Sequence, residues 1–174
     1  MYMKADILGN GPSLCLYEPK GGFVVGCNFH ENLCDVHVIL DKKPFLVFKG
    51  KKHLLTSNKL ITSEYAMPII KHHKLDVCFD IIHVIDQLEL FQSAGHVATD
   101  WCLNNGFTEI HLWGFDSIWK DTQETKTDAF VERDRQQHDL YVHWRERWKQ
   151  YTNYDIVVHN TKEGTTLKEL LWHT

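Results

Sequence analysis

Short apolar runs that end in turn-forming residues constrain the fold of this chain more than any other feature of its sequence. The first covers residues 5–9, and Asn10-Gly11-Pro12 directly follows its last glycine. Continuous runs of this kind suit strands that are buried on both faces, as in a mainly parallel sheet. Further strands are expected at residues 22–27, 36–40, 45–48, 109–113 and 155–159. Residues 75–79 could form another, and residues 81–90 read as a strand or a loop.

Helical signals alternate with these runs. Ser93 is a good N-cap, Asn105-Gly106 is a usual helix end, and apolar residues between them recur with helical spacing. A long helix is expected at residues 131–151, after a surface loop or lid at 117–130, and a short helix at 167–172. The pattern predicts an α/β fold: one Rossmann-like domain spanning residues 1–174, with a mainly parallel sheet and helices on both faces.

Composition and charge argue against several classes of protein. The net charge of −4 gives no overall attraction for nucleic acid, and the six lysines between residues 42 and 59 suit a solvated hairpin as well as a basic face. The five cysteines are scattered without a C-x-x-C pair, as expected of reduced thiols in the cytoplasm. No apolar stretch approaches the ~20 residues that cross a bilayer. A homo-oligomer is compatible with the sequence.

The loop after the first predicted strand has the composition of a phosphate site. Glycines at 9 and 11 allow a close backbone approach, Pro12 suits a first helical position, and Asn10 and Ser13 can donate hydrogen bonds. In open α/β sheets, ligands bind beyond the carboxyl ends of the strands. A plain tight turn would have the same composition, and neither a full G-x-G-x-x-G nor a P-loop is present.

Other candidates follow later strands. Asn28 could bind a ribose or base, or form a turn. Ser93 and Ala94 open the clear helix, where Gly95 is an unfavourable choice unless something packs closely against it, which favours a ligand there. Asp116, after the strand at 109–113, could bind a hydroxyl or a metal, or cap the following loop.

Among the twelve histidines, His138 is the candidate general base. It lies on an aromatic face of the expected long helix, near the expected lid, and its ordinary pKa suits proton transfer at neutral pH. A core or boundary histidine is the alternative, and His143 is a weaker candidate on another face. The sequence has no pair of histidines at helical spacing beside a carboxylate, so it does not predict a zinc site.

With these residues in place, the sequence resembles a known group of enzymes. The segments ILGNGPSL, GCN and SAGHVATDWCLNNGFTEIHLWGFD are similar, in this order, to segments of bacterial sialyltransferases. They also resemble a related Rossmann-like group that includes the archaeal hydroxymethylpterin diphosphokinases.

The resemblance implies a transferase that uses a nucleotide-sugar donor. By motif, it places Asn10, Gly11, Ser13, Asn28 and Ser93-Ala94-Gly95 at the nucleotide, and it assigns the general base to His138 or, less closely, His143. The sialyltransferases need no metal for chemistry, whereas the diphosphokinases use magnesium. Two alternatives therefore stand beside the glycosyltransferase: a diphosphokinase-like enzyme with Asp116 at the magnesium, and a non-catalytic module that sequesters a nucleotide.

Overall fold

The computed structural model describes residues 3–48, 52–123 and 139–173. The strands are β1 (Lys4–Leu8), β2 (Phe23–Cys27), β3 (Val36–Val38), β4 (Lys59–Ser63), β5 (Ile81–Ile85), β6 (Glu109–Trp113), β7 (Asp155–Val158) and β8 (Thr165–Thr166). The helices are α1 (Lys42–Phe48), α2 (Met67–His72), α3 (Ala94–Asn104), α4 (Leu140–Trp148) and α5 (Leu167–Trp172).

The strands form one sheet in the order β5-β4-β3-β2-β1-β6-β7-β8. Among the strands of the described residues, only the β7–β8 pair is antiparallel, so the sheet is mainly parallel as predicted. The chain builds outward from β1 to β5, and α3 then returns it to β6 on the other side of β1. Winding therefore reverses at the β1–β6 pair, which is where open α/β sheets bind ligands.

Helices cover both faces of the sheet, which confirms the predicted α/β fold class. Neighbouring residues of a strand point to opposite faces, and in β4 the side chain of Leu60 packs with Phe45 of α1 and Ile70 of α2. The next residue, Ile61, belongs to the opposite core, which contains Val97 of α3. Buried residues of α4 and α5 join this second core: Trp148 and Leu167.

The strand predicted at residues 45–48 is wrong, and the possible strand at 75–79 does not form. Residues 45–48 belong to α1, and residues 76–78 of the segment 75–79 form a 3-10 helix. A short apolar run does not distinguish a buried strand from a buried helix, and Pro44 is tolerated in a first helical turn. The fourth strand is β4, so the lysine-rich stretch contains α1 and the start of β4 instead of a hairpin.

The expected long helix is confirmed only from Leu140 onward. Helix α4 ends at Trp148 and continues as a 3-10 turn, Lys149–Tyr151. Residues 131–138 lie outside the described part of the chain, as do residues 124–130 of the expected loop. The described part of that loop begins with a 3-10 turn whose Ile118 is fully buried. No helix in the described ranges is both long and apolar enough to cross a membrane.

Candidate functional site

Backbone hydrogen bonds join the loops that follow β1 and β6. Gly9 N donates to Trp113 O at 2.7 Å, and Gly11 N donates to Gly114 O at 2.8 Å. A Cβ on Gly9 would lie 2.6 Å from the Gly114 carbonyl oxygen. The glycines of the predicted phosphate loop are therefore required for contact between these two loops, whether or not a ligand binds.

Asp116 holds the loop after β1 by accepting two hydrogen bonds from Ser13. Its Oδ1 atom lies 3.0 Å from Ser13 N and 2.6 Å from Ser13 Oγ. The carboxylate is 2% exposed, and the ammonium of Lys120 lies 3.8 Å from Oδ2. The side chain of Asp116 therefore holds the loop after β1, a role that the sequence did not suggest. Nucleotide binding by Ser13 and Asp116 stays a prediction.

Replacing Asp116 with alanine is expected to lower the free energy of unfolding by about 2 kcal/mol, because two donors of the half-buried Ser13 lose their buried acceptor. Asp121→Ala is the matched control. Asp121 is an exposed carboxylate paired with Arg145, and its loss is expected to cost less than about 1 kcal/mol. Urea unfolding followed by circular dichroism measures both values. Equal losses in the two variants would contradict the assigned role of Asp116.

Asn10 connects the first loop to the end of β2. Its Nδ2 atom donates to Cys27 O at 2.7 Å, and His30 Nε2 donates to the same carbonyl at 3.0 Å. Asn10 is 7% exposed. The contact brings the loop after β1 beside Asn28, the residue that follows Cys27.

Asn28 has a left-handed backbone conformation, with φ of 64°. Its N–H donates to Val38 O at 2.9 Å, and its carbonyl accepts from His37 Nδ1 at 2.9 Å. His37 Nε2 in turn accepts from Thr56 N at 3.1 Å. Asn28 therefore forms a turn, as one of the two expectations from the sequence held. Its half-buried side chain lies at the carboxyl edge of the sheet.

The predicted N-cap of α3 is confirmed. Ser93 Oγ accepts from His96 N, and His96 Nδ1 accepts from Ser93 N at 3.0 Å, which completes a reciprocal capping box. Ala94 is the first residue of the helix. The first turn of a helix leaves N–H groups without helical partners, and these favour negative charge.

Phe115 explains the glycine at position 95. A Cβ on Gly95 would lie 2.3 Å from Phe115 Cε1, and a Cβ on Gly9 would lie 3.1 Å from Cε2 of the same ring. The close packing that the sequence indicated is therefore confirmed, but the packing partner is a protein side chain. The same ring brings the loop after β1, the loop after β6 and the start of α3 together.

Of the two candidate bases, His138 lies outside the described residues, so its role stays a prediction. His143 is described: it is an exposed residue of α4, and its ring stacks on Phe91 with centroids 3.8 Å apart. The described geometry brings together Asn10, Gly11, Pro12, Ser13, Asn28, Ser93, Ala94, Gly95 and Asp116 at one edge of the sheet.

Sequence reasoning missed four residues that hold this edge in place: His30, His37, His96 and Phe115. A signal existed for His37, because it interrupts an apolar run in the sequence; in the structure this histidine is 0% exposed. For His96 the signal was its position, three residues after an N-cap serine, where a side chain can reach back to the N-cap N–H. The ring of His30 contacts the Cys27 carbonyl three residues earlier, and Phe115 packs against the distant Gly95; neither contact had a signal in the sequence.

The described residues do not fit a metal site at this edge. They contain no group of three or more His, Cys, Asp and Glu side chains placed to hold an ion. Asp116, the carboxylate expected at the magnesium of a diphosphokinase-like enzyme, is buried, and its Oδ1 already accepts from Ser13.

Among solved structures, the fold is similar to that of the sialyltransferase CST-II, which was solved with a trisaccharide acceptor and CMP. The sequences are 14% identical, the match covers 89% of this chain and 80% of that one, and the TM-score is 0.52. A protein from Lactobacillus plantarum also matches, at 14% identity, over 91% of this chain and 59% of that one, with a TM-score of 0.36. No protein-family model and no curated protein matches the sequence. The likeness to CST-II supports the resemblance to sialyltransferases at the level of the fold.

Proposed function

We propose that this chain is a nucleotide-binding transferase, specifically a glycosyltransferase that takes a sugar from a nucleotide donor. The observation that carries the proposal is the meeting of the β1 loop, the end of β2 and the start of α3 at the carboxyl edge of the sheet. The similar fold of CST-II, a sialyltransferase that was solved with CMP, suggests the donor class.

The start of α3 is the better place for the donor phosphate. Ser13 already donates to the carboxylate of Asp116, whose negative charge would repel a phosphate at that serine. The N–H groups of the first turn of α3 and the hydroxyl of Ser93 offer donors and a favourable helix dipole. Asn28 lies on the β2 side of the same edge, where it could bind the ribose or base.

In the proposed reaction, an acceptor hydroxyl attacks the anomeric carbon of the donor sugar. The new carbon–oxygen bond forms as the bond to the phosphate breaks, and the nucleotide leaves with the electron pair. His138 would take the hydroxyl proton. Positioning of the two substrates and stabilisation of the leaving phosphate would supply the catalysis. No described residue favours the magnesium-dependent alternative, and a sequestering module would bind the nucleotide without turnover.

Binding of CMP, with and without magnesium, tests the proposal. We expect CMP to raise the melting temperature without magnesium, because a ligand of the folded state stabilises it by mass action. Asn28→Gly is expected to weaken CMP binding about tenfold in isothermal titration calorimetry. Glycine keeps the left-handed backbone and removes only the side chain.

Asn104→Ala is the matched control, because Asn104 is exposed at the opposite end of α3. It should bind CMP as the wild type does. A wild-type protein that binds neither CMP nor UDP, GDP, ADP or ATP would overturn the transferase proposal. Unchanged affinity in Asn28→Gly would remove Asn28 from the site while the function stands.

A further inference from the structure

His96 connects the start of α3 to α4. Its Nδ1 atom accepts from Ser93 N at 3.0 Å and lies 2.9 Å from Ser93 Oγ. On the other side of the ring, Nε2 donates to Trp144 O at 3.2 Å. A single side chain thus contacts both the predicted nucleotide-binding serine and the backbone of the next long helix.

Packing fixes this ring in one orientation. His96 is 0% exposed, and its ring lies 4.4 Å from the Trp148 ring and 6.1 Å from the Tyr151 ring, measured between centroids. Burial, with the nearby Arg147 charge, lowers the pKa of His96 to about 3. The ring is therefore neutral at pH 7, with its proton on Nε2 and a lone pair on Nδ1.

His96 lies between the proposed donor site and α4. Ser93, on one side of the ring, is the residue proposed at the donor phosphate. Trp144, on the other side, belongs to α4. An ordinary capping box would need only Glu or Gln at this position. Neither of those reaches α4 through a second, rigidly placed donor as the imidazole does.

We propose that His96 is a positioning residue: it orients Ser93 for a nucleotide phosphate and ties that serine to α4. The proposal rests on the proposed nucleotide-binding function. While the backbone N–H of Ser93 stays on Nδ1, the Ser93 hydroxyl can turn its proton to the phosphate. The serine then meets the ligand with its backbone already fixed, which lowers the entropic cost of binding.

A double-mutant cycle on CMP affinity tests this role, with calorimetry as the readout. His96→Leu is expected to weaken binding about tenfold, as would the loss of one hydrogen bond to a charged group. His96→Gln is expected to recover the affinity to within about threefold, because Gln can reach back to the N-cap N–H. If His96 acts through Ser93, adding His96→Leu to Ser93→Ala should cause no further loss.

If His96 has only a structural role, the losses of CMP affinity caused by His96→Leu and by Ser93→Ala should add in the double variant. His83→Leu, at an exposed position on β5, controls for removing an imidazole, and circular dichroism checks that each variant is folded. Additive losses, or wild-type affinity in His96→Leu, would overturn the positioning role. If His96→Leu does not fold, His96→Gln decides by itself: binding about tenfold weaker than that of the wild type in this folded variant would overturn the positioning role. Failure of the wild type itself to bind CMP or any other nucleotide would instead refute the proposed function, and the positioning role with it.

Discussion

Replacing Gly11 with alanine is expected to lower the free energy of unfolding by about 3 kcal/mol. The new Cβ would lie 2.3 Å from Asp116 Oδ1 and 2.7 Å from the Gly114 carbonyl oxygen. The second atom belongs to the backbone and cannot rotate away. Relief therefore requires the two loops to separate, which stretches the bond from Gly11 N to Gly114 O and the bonds between Ser13 and Asp116.

The matched control is Gly22→Ala. Its Cβ would meet one atom within 4 Å, Asp6 Oδ2 at 3.6 Å, which is an ordinary contact distance. We expect this substitution to be neutral or to stabilise by up to about 1 kcal/mol, because alanine restricts the unfolded chain. Urea unfolding compares the two variants directly. Equal stability of Gly11→Ala and Gly22→Ala would show that the two loops are not in contact.

Asp116→Ala provides a second check on the cause of the loss. It removes the carboxylate that the new methyl group would meet, but leaves the clash with the Gly114 carbonyl. The Gly11→Ala/Asp116→Ala double variant should therefore be more stable than the sum of the two single losses implies. Strict additivity would assign the whole effect of Gly11→Ala to the Gly114 backbone.

The sheet could be predicted from the sequence wherever an apolar run was bounded by clear turn residues. β1, β2 and β6 have such boundaries, and Ser93 with Asn105-Gly106 marks both ends of α3. The run at residues 45–48 has neither a period nor a boundary that separates strand from helix, because Phe45 is fully buried in α1 as it would be in a strand. Tertiary packing decided that assignment.

The residues of the candidate site could be predicted from the sequence, but their contacts could not. Loop position identified Asn10, Asn28 and Ser93, because loops that follow parallel strands share one edge. The sequence did not reveal which atoms those residues would contact. The approach of Phe115 to Gly95 joins segments that are 20 residues apart, and the bond from Ser13 to Asp116 spans 103. Such contacts depend on the register of the whole sheet, which no local pattern contains.

Stability is expected to fall steeply as the pH drops below about 6.5, because two fully buried histidines are neutral in the folded protein. Burial lowers the pKa of His37 to about 4 and is the main cause of the pKa of about 3 at His96. Between about pH 6.5 and those values, the unfolded chain binds protons that the folded chain does not. Stability is therefore complete above pH 6.5 and decreases by about 1.4 kcal/mol per pH unit for each histidine as the pH falls.

Urea unfolding at pH 7.5, 6.0 and 5.0 measures this dependence, and His96→Gln isolates one histidine. Glutamine can keep the capping box with Ser93 but cannot titrate, so the variant should lose less stability than the wild type between pH 6.5 and 5.0, by about 2 kcal/mol. Carboxylates that titrate in acid are common to both proteins and cancel in this difference. His83→Gln, which removes an exposed histidine of β5, should follow the wild-type curve. Parallel curves for His96→Gln and the wild type would mean that His96 accepts a proton in the folded protein, and its Nδ1 atom could then not accept the hydrogen bond from Ser93.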